Sequence, residues 1–286
     1  MVYWQKQQSV ERSLAKLMDN RPIGVFDSGV GGISTLAAFT RELPGERFIY
    51  FGDTKNAPYG TKTTAEVQEL VRKVVGRLEG ERIKALAIAC NTATGAAAAM
   101  LRQEKAYPVI GMEPALKPAE EHWQGGKILV MATPLTLRQE KFFSLMERFG
   151  AHAVPLPCPG LMELVEREDE DGARGYLEEL FSGWQMEKID AVVLGCTHYV
   201  FLRPMIREML PPRILITDGN AGTARQLRRV LAGKGLLREA GEGSVEMRTS
   251  GETEKELPVM RRLYERARRI AAQAEDGPGE TDPACV

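Results

Sequence analysis

The chain has 286 residues, 43% of them hydrophobic and 27% charged, which is enough apolar material for one large domain or two of ordinary size. Its formal net charge of −1 offers no general attraction to nucleic acid or to an anionic membrane surface. No apolar stretch approaches the roughly 18 residues that would span a bilayer, and charged residues interrupt the first twenty positions, where a signal peptide would be apolar. We therefore expect a cytoplasmic protein that binds neither nucleic acid nor membrane.

Residues 1–21 are predicted to be a polar N-terminal extension, and a first series of strands and helices starts at Pro22. Glycine, proline and aspartate separate the elements of this series. The expected strands are 23–26, 47–51, 83–89 and 108–111, and the expected helices are 33–43, 64–79 and 93–102.

A second series begins near residue 114. Its expected strands are 127–132, 190–194 and 213–217, with a helix opened by residues 133–136 and an acidic helix over 160–181. A helix at 222–233, a strand near 244–249 and a charged helix at 257–274 follow. The tail 276–286 has almost no apolar content, so we expect it to be disordered.

Strands that alternate with helices predict parallel sheets covered by helices on both faces, which is the α/β class. Because each series has its own candidate reactive strand end, we expect two similar α/β domains with the active site in the cleft between them. We assign residues 22–113 and 218–275 to the first domain and residues 114–217 to the second.

A cysteine follows a buried strand at two places in the chain. Cys90 follows the apolar run that ends at Ala89, and Cys196 follows the run that ends at Gly195. Open α/β sheets bind ligands at the carboxyl ends of their strands, and the positive end of a helix that starts there is expected to lower a thiol's pKa. A single buried cysteine is more often an inert small hydrophobe. Two thiols facing one pocket, however, can take a proton from one face of a carbon and return one to the other, which is the chemistry of a racemase.

The other cysteines, Cys158 and Cys285, lack this context and are interpreted as a packing residue and a tail residue. The chain has four Cys and three His, and no Cys-x-x-Cys pair occurs. Reduced thiols are the default in a large cytosolic chain, and these spacings do not predict a zinc site. We therefore expect neither disulfides nor a metal ion.

The glycine-rich turn of residues 27–32 has more than one interpretation. With the following strand, which ends near Asp53, it loosely resembles a dinucleotide-binding unit, but Ser34 occupies the place of the last fingerprint glycine. Asp27 would also repel a pyrophosphate. A ligand with both charges fits better, because backbone N–H groups would hold a carboxylate and Asp27 would hold an ammonium group. The alternative is a tight turn that Asp27 caps.

Polar residues at other strand ends are expected to face the same site, although each can also be explained as a helix cap or a packed loop residue. Asp53 ends the strand next to the turn, and His198 is a candidate base partner or proton shuttle for Cys196. Glu166 is one acid among many on its predicted helix. The further candidates for contacts with a ligand's carboxylates are the loop Pro58, Tyr59 and Gly60 and the donors Asn91, Thr92, Thr133, Thr136 and Thr197.

Five segments in chain order resemble the cofactor-independent glutamate racemases of bacterial cell-wall synthesis, within the aspartate/glutamate racemase family. The resemblance covers roughly residues 22–275. The matching segments are 26–32, 52–54 with 58–60, 89–93, Thr133-x-x-Thr136 and 194–199.

This resemblance implies that Cys90 and Cys196 are the two acid/base thiols and that no cofactor is used. It implies supporting roles for Asp53 and Glu166 beside the thiols. Aspartate racemases usually carry Glu where this chain has His198, which favours glutamate as the substrate. The implied substrate contacts are Asp27, Ser28, Tyr59, Gly60, Asn91, Thr92, Thr197 and His198.

By the same analogy, Cys196 deprotonates L-glutamate, Cys90 deprotonates D-glutamate, and the D-glutamate supplies peptidoglycan synthesis. Two alternatives stay open: a racemase of the same family that acts on aspartate or another amino acid, and a two-lobed amino-acid-binding protein without catalysis. We expect a homodimer, although no motif in the sequence fixes the oligomeric state.

Overall fold

The computed structural model of the chain describes residues 19–238 and 241–275. Most of the predicted N-terminal extension, Cys285 and the predicted disordered tail lie outside these residues. None of the helices within the described ranges is long and apolar enough to cross a membrane.

The strands of the described residues form two sheets in which every pairing is parallel. They are β1 (Ile23–Asp27), β2 (Arg47–Gly52), β3 (Ala85–Ile88), β4 (Val109–Gly111), β5 (Lys127–Ala132), β6 (Ala153–Pro157), β7 (Ile189–Leu194), β8 (Leu215–Asp218) and β9 (Ser244–Thr249). The first sheet has the order β4-β3-β1-β2-β9 and the second has the order β6-β5-β7-β8. Because β1 lies between β2 and β3, the carboxyl ends of these three strands bring the glycine-rich turn, Asp53 and Cys90 together.

Helices connect the strands of both sheets. They are α1 (Ile33–Glu42), α2 (Thr64–Glu79), α3 (Asn91–Glu104), α4 (Leu116–Glu121), α5 (Pro134–Leu137), α6 (Glu140–Phe149), α7 (Leu161–Glu166), α8 (Glu170–Ser182), α9 (Arg203–Met209), α10 (Asn220–Gly233) and α11 (Thr253–Glu275). α1 packs against α10 and α11, whereas α2 packs against α3. Two parallel sheets flanked by helices confirm the predicted α/β fold class.

The central strands can be predicted from the sequence because they are buried on both faces and are therefore mostly apolar. Every residue of β1, β3 and β7 is buried, as is typical of parallel strands covered by helices on both sides. One hydrophobic cluster contains Val25 and Leu36 from the first sheet and its helices together with Leu129 and Val192 from the second. The two sheets therefore share a hydrophobic core as well as a cleft.

The structure corrects the predicted elements at several places. The prediction missed β6, which contains Pro155 and Pro157 and lies at the edge of its sheet, where a missing N–H group is tolerated. The single helix predicted over 160–181 is wrong: it is two helices, α7 and α8, because the chain turns at Glu168, whose φ is +55°. The helix after Cys196 is a 3-10 helix, Thr197–Leu202, and the α-helix starts only at Arg203.

Smaller differences concern the element boundaries. α10 begins at Asn220 and α11 at Thr253, two and four residues before their predicted starts at 222 and 257. Asp218 ends β8 of the second sheet. The division of the chain into domains at residues 113/114 and 217/218 stays a prediction.

A fully buried ion pair lies at the amino ends of the first sheet's strands, opposite the end that carries Cys90. Lys84 Nζ lies 2.7 Å from Glu46 Oε2, with side-chain exposures of 0% and 1%. Lys84 Nζ also donates to the carbonyl oxygens of Asp19 and Leu236, each at 2.8 Å. Glu46 Oε1 accepts the backbone N–H of Arg238 at 2.8 Å. The pair thus holds two chain segments against the sheet.

We expect Lys84→Met to lower the free energy of unfolding by about 3–5 kcal/mol, because it leaves the Glu46 carboxylate buried without its partner. Urea denaturation monitored by circular dichroism measures this change. Lys73→Met is the matched control: it breaks a pair with Glu69 at 2.6 Å in which both side chains are exposed, so it should change stability little. Equal losses in the two variants would contradict the argument.

Candidate active site

One pocket collects residues that follow strands of both sheets. Ten of the predicted site residues line it, together with Met162 and Gly195, which the sequence analysis did not single out. The predicted residues on its wall are Ser28, Tyr59, Gly60, Cys90, Asn91, Thr92, Thr133, Cys196, Thr197 and His198. The two thiols therefore share a pocket although they belong to different sheets.

Two hydrogen-bonding groups at the carboxyl end of the first sheet contact the Cys90 thiol. It caps the N-terminus of α3, and its Sγ accepts the backbone N–H of Ala93 at 3.4 Å. Its Sγ also lies 3.4 Å from Ser28 Oγ. Burial and the nearby Asp27 carboxylate raise the pKa of the Cys90 thiol to about 12, and the hydrogen bonds from Ser28 and Ala93 oppose this only in part. The expectation that the helix terminus gives Cys90 a lowered pKa is therefore wrong for this structure, because desolvation outweighs the helix.

Cys196 has a different partner. Its Sγ lies 3.7 Å from His198 Nδ1, and His198 Nε2 lies 3.0 Å from Glu166 Oε1. Burial by itself lowers the pKa of His198, but the hydrogen bonds and charges of Cys196 and Glu166 raise it well above its ordinary value. Burial likewise raises the pKa of Glu166, yet the hydrogen bond and charge of His198 leave it lowered overall. Cys196 thus ends a thiol–imidazole–carboxylate chain.

Asp27 lies behind the pocket wall rather than on it. Its side chain is fully buried, Oδ1 accepts the Gly29 N–H at 2.8 Å, and Oδ2 accepts the Thr197 hydroxyl at 3.2 Å. Burial raises the pKa of Asp27, and the charge of His198 opposes the rise. Asp27 therefore joins the glycine turn, which follows β1 of the first sheet, to Thr197, which follows β7 of the second sheet. We call the first sheet, with the segments that follow its strands, the first unit, and the second sheet, with the segments that follow its strands, the second unit.

Close packing explains the glycines of this turn. A Cβ on Gly31 would overlap the His198 ring and the Thr197 hydroxyl, and a Cβ on Gly32 would lie 2.5 Å from Asp27 Cβ. The missing side chain at Gly31 lets the backbone of the turn approach the second unit, and the missing side chain at Gly32 lets the turn pack over Asp27.

Asp53, like Asp27, does not line the pocket. Its Oδ2 accepts the hydroxyl of Tyr59 at 2.6 Å, and Asn56 Nδ2 donates to its two oxygens at 3.0 and 3.1 Å. Burial and the Asp53 carboxylate raise the pKa of Tyr59, so the phenol stays protonated. Pro58 precedes Tyr59 as the N-cap of a short 3-10 helix and does not line the pocket. Asp53 thus positions Tyr59 without reaching the pocket.

Three threonine hydroxyls form a closed ring between the two units. Thr92 Oγ1 of α3 lies 3.1 Å from Thr133 Oγ1 and 2.9 Å from Thr136 Oγ1, and the latter two oxygens are 2.9 Å apart. Thr136 does not line the pocket itself, but the ring connects it to Thr92 and Thr133, which do. Beside the ring, the side-chain oxygen Oδ1 of Asn91 is buried with no hydrogen-bond partner among the described residues.

A family model described as Asp/Glu/Hydantoin racemase matches residues 28–227. The chain belongs to this racemase family and is an isomerase. A glutamate racemase of Bifidobacterium adolescentis is 47% identical over 253 residues, which make up 86% of this chain and 98% of that protein. A glutamate racemase of Clostridium botulinum strain Kyoto is 45% identical over 252 residues, with coverage of 86% and 98%.

Solved structures of racemases show the same fold. The glutamate racemase of Thermus thermophilus in complex with beta-chloro-D-alanine has a TM-score of 0.71 and 34% identity, covering 87% of this chain and 93% of that chain. The Escherichia coli glutamate racemase in complex with L-glutamate and the activator UDP-MurNAc-ala has a TM-score of 0.76 and 30% identity, covering 85% and 95%.

In this racemase, Met162 is the wall residue that sequence reasoning had least chance of finding. It comes from α7, the helix that also carries Glu166, and it is buried. An apolar residue at helical spacing is typical of a core, so nothing in the pattern marks it as a pocket residue. Gly195 had a signal, because it directly precedes Cys196.

We expect Asp27→Asn to speed alkylation of Cys90 by iodoacetamide, because it removes a buried negative charge that raises the pKa of this thiol. Each unit of decrease in pKa gives about tenfold more thiolate at pH 8. Mass spectrometry of the alkylated peptides measures the rate at each cysteine.

Cys158 is the internal control for this experiment. Burial also raises its pKa to about 12, followed by the charge of Cys196, and Asp27 is not among the causes. Its alkylation rate should therefore stay unchanged. If both thiols react faster, the variant has loosened the fold and the electrostatic explanation is wrong.

Proposed function

We propose that this racemase interconverts L- and D-glutamate without a cofactor, with one thiol removing the α-proton and the other returning a proton to the opposite face. The observation that carries the proposal is that Cys90 and Cys196 line one pocket from two different sheets. The D-glutamate product would supply peptidoglycan synthesis, as the resemblance implies. The homodimer stays a prediction.

The surroundings of the two thiols fit the conversion of L-glutamate to D-glutamate. A pKa of about 12 keeps Cys90 a thiol, which is the form that returns a proton. On the other side, His198 Nδ1 lies 3.7 Å from Cys196 Sγ, and the raised pKa of His198 makes its imidazole a stronger base. An imidazole in this place is positioned to take the thiol proton of Cys196, which would prepare the sulfur to remove the α-proton of the substrate. Cys196 is therefore the proposed base toward L-glutamate and Cys90 the base toward D-glutamate.

Glu166 and Asp27 support these thiols from outside the pocket. Glu166 fixes the His198 ring through Nε2 and stabilises its positive charge. Asp27 fixes Thr197, which lines the pocket, through its hydroxyl group. Neither carboxylate lines the pocket, so neither places negative charge directly against the carbanion that would form at the substrate.

The α-hydrogen of an amino acid is a very weak acid, so the pocket must stabilise negative charge on the α-carboxylate as the proton leaves. The proposed donors are the hydroxyls of Ser28 and Thr92 and backbone N–H groups such as that of Thr197, because the Thr197 hydroxyl already donates to Asp27. The ammonium group of the substrate would meet Asn91 Oδ1, whose lack of a partner is costly until a donor arrives. The substrate is thus expected to supply the donor that Asn91 Oδ1 lacks among the described residues.

The names and ligands of the relatives support glutamate as the substrate. Proteins 47% and 45% identical to this chain are glutamate racemases. The similar Escherichia coli enzyme was solved with L-glutamate. His198 in place of the Glu that aspartate racemases usually carry points the same way.

We expect the purified protein to convert L-glutamate into a mixture of both enantiomers without pyridoxal phosphate or a metal ion. Circular dichroism or polarimetry in the presence of EDTA follows the loss of optical rotation. Aspartate should be a poorer substrate, because a shorter chain leaves buried donors unpaired. Equal catalytic efficiency with aspartate would overturn the substrate assignment, and a strict need for pyridoxal phosphate would overturn the mechanism.

We expect Cys90→Ala and Cys196→Ala each to abolish racemisation, because one face of the α-carbon then lacks its acid or base. The remaining thiol should still remove a proton from one enantiomer. With a glutamate analogue that carries a leaving group on the β-carbon, removal of the α-proton expels that group and needs no reprotonation. Cys90→Ala should therefore eliminate only from the L-analogue and Cys196→Ala only from the D-analogue.

Cys158→Ala is the matched control for both variants. It removes a buried thiol that lies outside the pocket and donates to the carbonyl oxygen of Leu156 at 3.3 Å. Its racemisation rate should be close to that of the wild type. The two-thiol mechanism is wrong if either single pocket variant still racemises glutamate well, or if both prefer the same enantiomer in elimination.

A further inference from the structure

Gln139 belongs to the second unit but makes its side-chain hydrogen bond to the first. It is the N-cap residue of α6 and is 7% exposed. Its Nε2 donates at 2.9 Å to the backbone oxygen of Thr92, which lies in the first turn of α3 and on the pocket wall. Together with the ring of threonine hydroxyls, this bond holds both the backbone and the side chain of Thr92 from the opposite unit.

Gly95 provides the space for this side chain. It lies inside α3, where glycine weakens a helix relative to alanine, and it has ordinary helical backbone geometry. A Cβ at this position would overlap Gln139 Oε1 and lie 2.5 Å from Gln139 Cδ. The Gln139 side chain occupies the space that a Cβ at position 95 would fill. This explains why a glycine is present in α3 although it lowers the stability of the helix. This contact also orients the amide, with Oε1 toward Gly95 and Nε2 toward Thr92.

We propose that Gln139 is a positioning residue for the substrate site, and that Gly95 is the socket that seats it. In this arrangement the second unit sets where Thr92 stands relative to Cys90, two residues before it at the start of the same helix. Catalytic and binding groups must be held within about half an ångström of their working geometry. The inference rests on the proposed function, because it assigns Thr92 a role in binding glutamate.

The bond from Gln139 also bears on how the hydroxyl ring can open. The three threonine hydroxyls satisfy one another, so a carboxylate that binds to them must replace bonds within the ring. If the backbone of Thr92 is fixed, its hydroxyl can turn to a ligand without movement of the helix. Without Gln139, α3 would lose its backbone anchor to α6, and part of the binding energy would be spent in ordering Thr92.

The test compares Gln139→Met, which keeps length and volume but cannot donate, with the wild type. We expect KM for glutamate to rise about tenfold with kcat changed less than threefold, because the lost hydrogen bond acts on bound substrate and transition state alike. Glutamate should also protect Cys90 from alkylation only at correspondingly higher concentration, which measures binding without turnover.

Gln68→Met is the matched control. Gln68 Nε2 donates at 2.8 Å to the backbone oxygen of Ala96 on the same helix, but from α2 within the first unit and away from the pocket. It loses the same kind of bond and should leave KM unchanged. An equal rise in KM in both variants would show a general weakening of α3 and would overturn the positioning role.

A pair of alanine substitutions tests the socket. Gly95→Ala should lower the melting temperature and raise KM in the wild-type background, because it expels Gln139. In a Gln139→Ser background, where the socket is empty, the same substitution should raise the melting temperature, since alanine favours the helix. If Gly95→Ala does not raise the melting temperature in the Gln139→Ser background, the assignment of Gly95 as the socket for Gln139 is wrong.

The outcomes separate this inference from the function on which it rests. If the wild type racemises glutamate and Gln139→Met has wild-type KM, the positioning role is wrong and the proposed function stands. If the wild type does not racemise glutamate, the proposed function fails and the positioning role fails with it, whatever the melting temperatures show.

Discussion

The ionisable groups that line the pocket are buried, and each of them therefore needs a fixed polar partner. In the proposed mechanism a thiolate has to form in a pocket where burial and the nearby Asp27 carboxylate raise the pKa of Cys90 to about 12. Water could stabilise the thiolate, but water would also exchange protons with the carbanion and weaken every hydrogen bond to the substrate. The protein instead supplies fixed partners at both strand ends: a hydroxyl and a helix N–H at Cys90, and an imidazole backed by a carboxylate at Cys196.

This constraint also explains why the two units are joined through polar groups at the pocket. The Asp27–Thr197 hydrogen bond, the threonine ring and the Gln139 bond to Thr92 all cross from one unit to the other. Apolar packing alone would bury the same area, but it does not fix the positions of donors to within a fraction of an ångström. The glycines of the turn serve the same end, because they let polar groups of the two units meet.

Sequence reasoning succeeded where a signal is local and failed where the structure depends on contacts between distant residues. β1, β3 and β7 each contain a short apolar run, so their ends could be predicted, and polar residues just after them line one pocket. Met162 lines that pocket from a helix whose apolar pattern is that of an ordinary core helix. The strand β6 was missed because its prolines are not typical of a strand. The pKa of Cys90 was predicted in the wrong direction because a helix terminus is visible in a sequence, whereas the depth of burial is not.

The placement of the two thiols on separate sheets also sets a condition on turnover. Cys90 and Cys196 are only 6% and 8% exposed, so a glutamate molecule cannot reach them unless part of the wall moves. In the proposed mechanism, a movement that separates the units also separates the acid from the base, because each unit carries one of them. Proton transfer then belongs to the closed arrangement and substrate exchange to an open one. The hydrogen bonds between the units must therefore be strong enough to define the closed pocket and few enough to break in every cycle.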